Sequence, residues 1–359
     1  MNLKGMPRPM LIRIRFPRLF LALLLLSLVH LPASNAQDGE PLKFFRDYVG
    51  LKEDQIAAIR NGKSIAKVVE SRTPDEVFVF GSVYVHSTPE KYLKFASDID
   101  ALRKLPSYLA IRKLSDPPQL SDFEGFTLDA DDLKQLKNCE PGKCDVQLPT
   151  EAMDAFKQSV NWSAPDAANQ ANQLAQKMAL EAMQRYTQGG NAALGTYMDK
   201  RHPAGVGETF ASLLSRSKAL PVYLPELERY LLDYPHARSE NIQSEFYWEK
   251  VQFGLKPTLR VVQAIIYRDS HSTGPAYAVA VKQLYASHYF ETALDLTVCV
   301  RDQEHPDRGF YLITLKGSKQ AGLTGLKGGI VRKVAVDKTR SSLERALGAI
   351  KQKLESRTD

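Results

Sequence analysis

Residues 292–300 read TALDLTVCV, and large aliphatic side chains occupy every second position of this stretch. The aliphatic positions are Leu294, Leu296, Val298 and Val300. The positions between them are Ala293, Asp295, Thr297 and Cys299. Successive side chains of a β-strand point to opposite faces of its sheet, so this alternation predicts a strand with one buried and one more polar face. Because strands of parallel sheets are buried on both faces, the pattern favours an antiparallel sheet.

Similar sequence lies on both sides of this strand. Four further stretches are rich in β-branched and aromatic residues and are separated by turn-forming residues, which predicts four more strands. They are residues 259–267, 277–287, 310–315 and 330–336. A final helix is then predicted to begin at 341–344, where Ser-Ser-Leu-Glu precedes an apolar stripe. We therefore expect an α+β fold in which a curved antiparallel sheet, interrupted by a helical insertion, packs on a long C-terminal helix.

The part of the chain before these strands has two different patterns. Residues 77–85 and 108–114 are predicted strands, and the helix between them starts at Thr88-Pro89-Glu90. Residues 150–234 lack strand signals and are rich in alanine, which predicts several helices. We therefore expect one domain, in which an N-terminal α/β part, a helical insertion and a C-terminal part of strands and closing helix follow one another. These three parts are predicted to span 37–149, 150–245 and 246–359.

The first 36 residues have the segment order of a secretory signal peptide. Five basic residues and no acidic residue accompany an apolar run at 19–31, and a small-residue exit follows at 34–36. The run is shorter than the roughly 20 residues that a spanning helix needs, so we expect cleavage after Ala36. An uncleaved anchor is the alternative. The mature protein is expected to be periplasmic or secreted, with no permanent membrane span.

The charge of the chain changes when this segment is removed. The whole chain has a net charge of +7, of which the first 36 residues contribute five positive charges, so the mature protein has a net charge of +2. A protein that binds the phosphate backbone of nucleic acid usually has a clear basic surface, so nucleic acid is not an expected partner. The strongest basic cluster, Arg332, Lys333, Lys338 and Arg340, is interpreted as solvated surface.

Two of the three cysteines flank a turn-forming tetrapeptide. Cys139 and Cys144 enclose Glu-Pro-Gly-Lys, and in an oxidising compartment this arrangement predicts a disulfide across the turn. A zinc site would need two more ligands at suitable spacing, and a thioredoxin-like motif would have two residues between the cysteines instead of four. Cys299, within the alternating strand, is predicted to be a small buried residue or a free thiol.

The order of predicted elements resembles a known architecture. A strand, a helix that begins with Thr88-Pro89-Glu90, several antiparallel strands and a long final helix resemble the helix-grip arrangement of START-type lipid-binding domains. The resemblance covers residues 76–118 and 257–357, and the helical segment 150–245 departs from it. Residues 247–257 and 283–290 also resemble stretches of exported bacterial proteins. The resemblance implies an apolar ligand held between sheet and helix.

Residues 247–257 and 283–290 contain the candidate ligand-binding residues. Trp248, Tyr285, His288 and Tyr289 combine apolar area with polar tips, as do the side chains that line hydrophobic pockets with a few orienting groups. Neighbours in a strand face opposite sides, so His288 and Tyr289 converge only if a bulge or turn intervenes. A structural, hydrogen-bonded role is the alternative for His288.

Known catalytic motifs are absent from the sequence. It contains no Gly-x-Ser-x-Gly, no His-Glu-x-x-His and no phosphate-binding loop, and no cofactor is expected. The leading hypothesis is a non-catalytic exported protein that binds or carries an apolar small molecule or lipid. One alternative is a cavity enzyme that uses His288 and a nearby tyrosine. Another is a cell-envelope interaction protein that docks through the helical insertion.

Overall fold

The computed structural model describes residues 41–105, 107–253, 256–268, 276–323 and 325–356. Helices α1 to α11 are Leu42–Asp47, Glu53–Arg60, Pro89–Ala96, Ile99–Arg103, Ala130–Leu136, Thr150–Ser159, Ala167–Gly189, Val206–Leu214, Leu220–Tyr223, Pro225–Asp233 and Gly325–Glu355. Strands β1 to β10 are Ile65–Val69, Glu76–Val85, Tyr108–Lys113, Thr196–Tyr197, Ala204–Gly205, Ile242–Phe253, Lys256–Arg268, Tyr277–Ala286, Phe290–Arg301 and Phe310–Gln320. The predicted signal peptide lies outside the described residues.

Eight strands of the described chain form one antiparallel sheet in the order β1-β2-β10-β9-β8-β7-β6-β3. The predicted strand β9 lies inside this sheet, where Leu296 pairs with Ala280 of β8 and Leu315 of β10. The sheet packs against the C-terminal helix, so the predicted α+β class is confirmed. β4 and β5 form a separate two-stranded hairpin.

Helix α11 lies on one face of the sheet, which we call the α11 face. Its buried stripe, Val336, Leu343, Leu347 and Leu354, packs with valines of β2. The helix approaches β2 so closely that a Cβ atom on Gly81 would lie 2.8 Å from Leu343 and from Leu347. The missing side chain of Gly81 therefore lets α11 seat directly on the strand.

Helices of the 150–245 segment pack on the opposite face, which we call the insertion face. Phe210 of α8 and Leu227 of α10 join Ile265, Leu296 and Phe80 of the sheet in one core. α1 and α2 add Phe45 and Ile59 to the same core. Both faces of the sheet are thus covered, and the helical insertion leaves the α11 face to α3, α4 and α11.

The predicted strand at 330–336 and the predicted helix start at 341–344 are both wrong, because these residues lie within α11, which begins at Gly325. The β-branched residues of 330–336 favour a strand locally. However, the buried positions from Val336 to Leu354 follow helical spacing, so one continuous helix buries them all. Packing of the later turns against β2 therefore determines the conformation of the earlier ones.

Other elements differ from the expected boundaries. Four strands are not among the predicted ones: β1, β6 and the short strands β4 and β5, which lie in the segment predicted to be helical. β6 is one of the longest strands in the sheet. The helix predicted after Thr88 is interrupted, because the Asp98 side chain accepts hydrogen bonds from the backbone amides of Asp100 and Ala101, each at 3.0 Å. Asp98 thereby begins α4 as a separate helix.

Cys139 and Cys144 form a disulfide, and Cys299 is a free buried cysteine. Both half-cystines are buried in a cluster with Met153 and Phe156 of α6. The disulfide fits an oxidising, exported environment. No helix in the described residues is long and apolar enough to cross a bilayer.

We expect replacement of both Cys139 and Cys144 by serine to lower the free energy of unfolding by about 2 kcal/mol, because the cross-link closes a small loop and so lowers the conformational entropy of the unfolded chain. Urea unfolding followed by circular dichroism measures the change. A reducing agent should lower the stability of the wild-type protein by a similar amount and leave the double variant unchanged. Equal stability of oxidised and reduced wild-type protein would contradict the prediction.

Candidate functional site

Trp248 of β6 is a packing residue on the insertion face. Its side chain is buried, its ring centroid lies 5.8 Å from that of Phe126, and its Nε1–H donates a hydrogen bond to the Asp122 carbonyl at 2.7 Å. The same cluster includes Met183 and Tyr186 of α7. The indole thus joins the sheet to the segment before α5 and to α7.

Tyr285 and His288 lie near the β8–β9 turn. The two ring nitrogens of His288 lie 3.0 Å from the Asp132 carboxylate and 3.0 Å from the Asp145 carbonyl, so both are engaged by the protein. Burial, with Tyr197 and the carboxylates of Asp132 and Asp199 nearby, raises the pKa of Tyr285 well above its ordinary value. A proton-accepting role for His288 would require one of its two contacts to break.

Tyr289 occupies the turn itself, with a positive φ of 68°. Its hydroxyl accepts a hydrogen bond from the backbone amide of Lys256 at 2.9 Å. The Lys256 ammonium lies 3.6 Å from the carboxylate of Asp132, the residue that also binds His288. The structure therefore brings His288 and Tyr289 together around the turn, through Asp132 and Lys256. Tyr285 lies near Asp132 but also packs against the cluster beside α7 that contains Trp248.

Five ionisable side chains form a different constellation on the α11 face. Two of its pairs are direct cross-strand partners: Glu249 of β6 with Arg260 of β7, and Asp295 of β9 with Lys316 of β10. The Glu249 and Arg260 side chains lie 3.1 Å apart, and those of Asp295 and Lys316 also form an ion pair. Tyr108 of β3 completes the set, which we call the α11-face cluster.

The charges of this cluster act on one another across the sheet. Burial raises the pKa of Glu249, and Asp295 adds to this shift while Arg260 and Lys316 oppose it. The Glu249 carboxylate and burial raise the pKa of Tyr108 above its ordinary value. The five side chains belong to five different strands, β3, β6, β7, β9 and β10, so only the folded sheet brings them together.

The exposure of the cluster changes from one end to the other. The side chains of Glu249 and Arg260 are 5% and 14% exposed, whereas those of Asp295 and Lys316 are 33% and 35% exposed. The Arg260 Nε has no hydrogen-bond partner within the described residues. The cluster therefore opens to solvent at Asp295 and Lys316 and closes at Glu249.

No protein-family model matches the chain, and no curated protein is significantly similar to it.

Helices and hydroxyl groups surround the cluster. Ile99 and Leu102 of α4 pack with Val262 and Val281, the apolar residues of β7 and β8 on this face. Tyr92 of α3 is buried beside them and hydrogen-bonds to Thr297, whose hydroxyl lies 3.1 Å from that of Thr314. The arrangement combines an apolar floor with a few polar groups, as in small-molecule sites.

A buried lysine lies on the insertion face, behind the cluster. Lys282 of β8 is fully buried, and its ammonium donates hydrogen bonds to the Tyr186 hydroxyl at 2.9 Å and to the side-chain oxygen of Asn191. The Phe210 ring centroid lies 4.4 Å from the Lys282 Nζ. No carboxylate of the described residues forms an ion pair with it, and burial lowers the Lys282 pKa to about 7.

Two acidic residues of the α11-face cluster can be recognised in the sequence, although the aromatic residues near them are the stronger signal. Glu249 directly follows Trp248, and Asp295 lies within the alternating stretch of β9. A charged residue in a strand is ordinarily expected on a solvated face. Only the covering of both sheet faces makes Glu249 an interior residue.

Proposed function

We propose that this protein binds an apolar small molecule or lipid with a polar end, in the space between the sheet and its helices on the α11 face. The observation that carries the proposal is the α11-face cluster, in which a buried, raised-pKa Glu249 is paired with Arg260. Removing charges from water is costly, and buried ionisable groups with perturbed pKa values are concentrated at functional sites.

The geometry limits where such a ligand would lie. The close contact of Gly81 with Leu343 and Leu347 leaves no room between α11 and β2. The ligand would instead lie over β7 to β9, with its apolar part against Val281 and its polar end near Lys316. This placement differs from the START-like resemblance, which implies a ligand between the sheet and the long final helix, and it does not use Trp248.

The proposed setting is outside the cytoplasm. The signal-peptide pattern of residues 1–36 supports export, and the disulfide between Cys139 and Cys144 is suited to an oxidising compartment. We therefore propose a periplasmic or secreted, non-catalytic carrier.

We expect Lys316→Ala to weaken binding of a fluorescent fatty acid, dansyl-undecanoic acid, about tenfold or more, because the variant loses one charged hydrogen-bond donor at the open end of the site. Fluorescence titration measures affinity. Mass spectrometry of organic extracts from the exported protein tests for a copurified ligand at about one molecule per chain, and Lys316→Ala should reduce that amount.

Lys134→Ala is the matched control, because Lys134 forms an exposed ion pair with Asp131 on α5. This control should bind the probe like the wild-type protein. If the wild-type protein neither retains an extractable ligand nor binds the probe, or if Lys316→Ala changes neither result, the proposed site is wrong.

A further inference from the structure

The first turns of α11 carry an exposed apolar patch. The side chains of Ile330, Val331 and Val334 are 72%, 54% and 60% exposed. The other exposed large apolar side chains of the described residues, such as Val222, are isolated in sequence. Neighbouring exposed aliphatic side chains are a feature of interaction surfaces, whereas single exposed ones are ordinary.

The patch faces away from the protein body. At 3.6 residues per turn, Val336, Leu343 and Leu347 lie on the side of α11 that packs on the sheet, and Ile330 and Val334 lie on the outward side. The Arg332 guanidinium donates hydrogen bonds to the Pro74 carbonyl and the Ser71 hydroxyl, each at 2.8 Å. These bonds hold the first half of α11 in place, so the patch is presented on an anchored helix.

Positive charges continue the outward line of the patch. Lys338 and Arg345 follow on the same side of α11, and both are exposed. Lys333 lies beside the patch and is also exposed, as is Asp337, the nearest carboxylate on the helix. The outward surface therefore combines exposed aliphatic side chains with an excess of positive charge.

We propose that this surface docks on a bilayer that contains anionic lipids. The aliphatic side chains of the patch would enter the interfacial region, while Lys338 and Arg345 would lie near the lipid phosphates. A second copy of the chain fits less well, because a twofold contact through the same surface would bring the cations of both copies together. The proposal does not depend on ligand binding by the α11-face cluster.

The test is cosedimentation with vesicles, either of phosphatidylglycerol and phosphatidylcholine in equal amounts or of phosphatidylcholine alone. We expect the wild-type protein to bind the anionic vesicles, with a loss of binding at high salt. The triple variant Ile330→Ser, Val331→Ser, Val334→Ser should lower the bound fraction about fivefold or more. Lys338→Gln combined with Arg345→Gln should lower it on anionic vesicles.

Val222→Ser is the matched control, because Val222 is 61% exposed and belongs to α9, on the other side of the sheet. All proteins compared carry the same N-terminus, so any contribution of residues 1–36 cancels. Unchanged circular dichroism and melting temperature verify that the variants are folded. Equal vesicle binding by the wild-type protein and the triple serine variant would overturn the proposal. A dimer in sedimentation velocity that the triple variant abolishes, without vesicle binding, would identify a second copy as the partner instead.

Discussion

Lys282→Met should remove a rise in stability of about 4–5 kcal/mol that the wild-type protein shows between pH 7 and pH 10.5. Burial lowers the Lys282 pKa in the folded protein to about 7, from an ordinary value of 10.5. Between these two values the unfolded chain binds more protons than the folded one, so the free energy of unfolding increases with pH. Below pH 7 the lysine is charged in both states, and the cost of burying it is fully present.

Urea unfolding at pH 6.5, 8.5 and 10.5 measures this difference between the wild-type protein and Lys282→Met. The substitution leaves the hydrogen bond from the Tyr186 hydroxyl to Gln263 in place, at 2.7 Å. Lys218→Met, at an exposed position, is the control and should keep the wild-type pH dependence. If Lys282→Met and the wild-type protein change in parallel with pH, Lys282 ionises as an ordinary lysine and the prediction is wrong.

Trp248→Ala should lower the free energy of unfolding by about 3–5 kcal/mol, since the substitution empties a large buried volume between the sheet and α7. It also removes the donor that binds the Asp122 carbonyl. Trp248→Phe should cost less, because it keeps an aromatic ring against Phe126 and loses mainly the hydrogen bond.

Chemical denaturation of the three proteins measures these differences, and probe binding measured at concentrations where each is folded separates stability from function. A loss below about 1 kcal/mol for Trp248→Ala would show that the indole is not a core residue. Loss of probe binding by a fully folded Trp248→Phe variant would place Trp248 at the ligand site and would argue against the α11-face cluster.

Local pattern was sufficient for elements whose own residues determine their conformation. The alternation around Leu296 predicts β9 because its period is that of a strand, and the proline and hydroxyl at Thr88-Pro89 predict the start of α3. The pattern at 330–336 misled, because its conformation depends on contacts that Leu343 and Leu347 make further along the chain. Local propensity contains no information about those contacts.

The candidate site depended on information that strand alternation alone does not provide. Alternation predicts that Trp248 and Glu249 face opposite sides of β6, but it does not predict which helices cover each side. The register of β6 with β7 places Glu249 opposite Arg260, and this pairing depends on residues distant in sequence. Trp248 lies on the insertion face, whereas the ionisable cluster lies on the α11 face.

The helical segment 150–245 packs on the sheet face opposite to α11. The same strands therefore contribute alternate side chains to a stabilising core on one face and to the ionisable cluster on the other. Side chains at odd and even positions of β9 belong to different layers, so Leu296 can be optimised for stability while Asp295 varies. Changes at positions of the two layers that are distant from each other and share no contacts are expected to combine almost independently. A sheet divided in this way can acquire new specificities on one side without losing the core that keeps it folded.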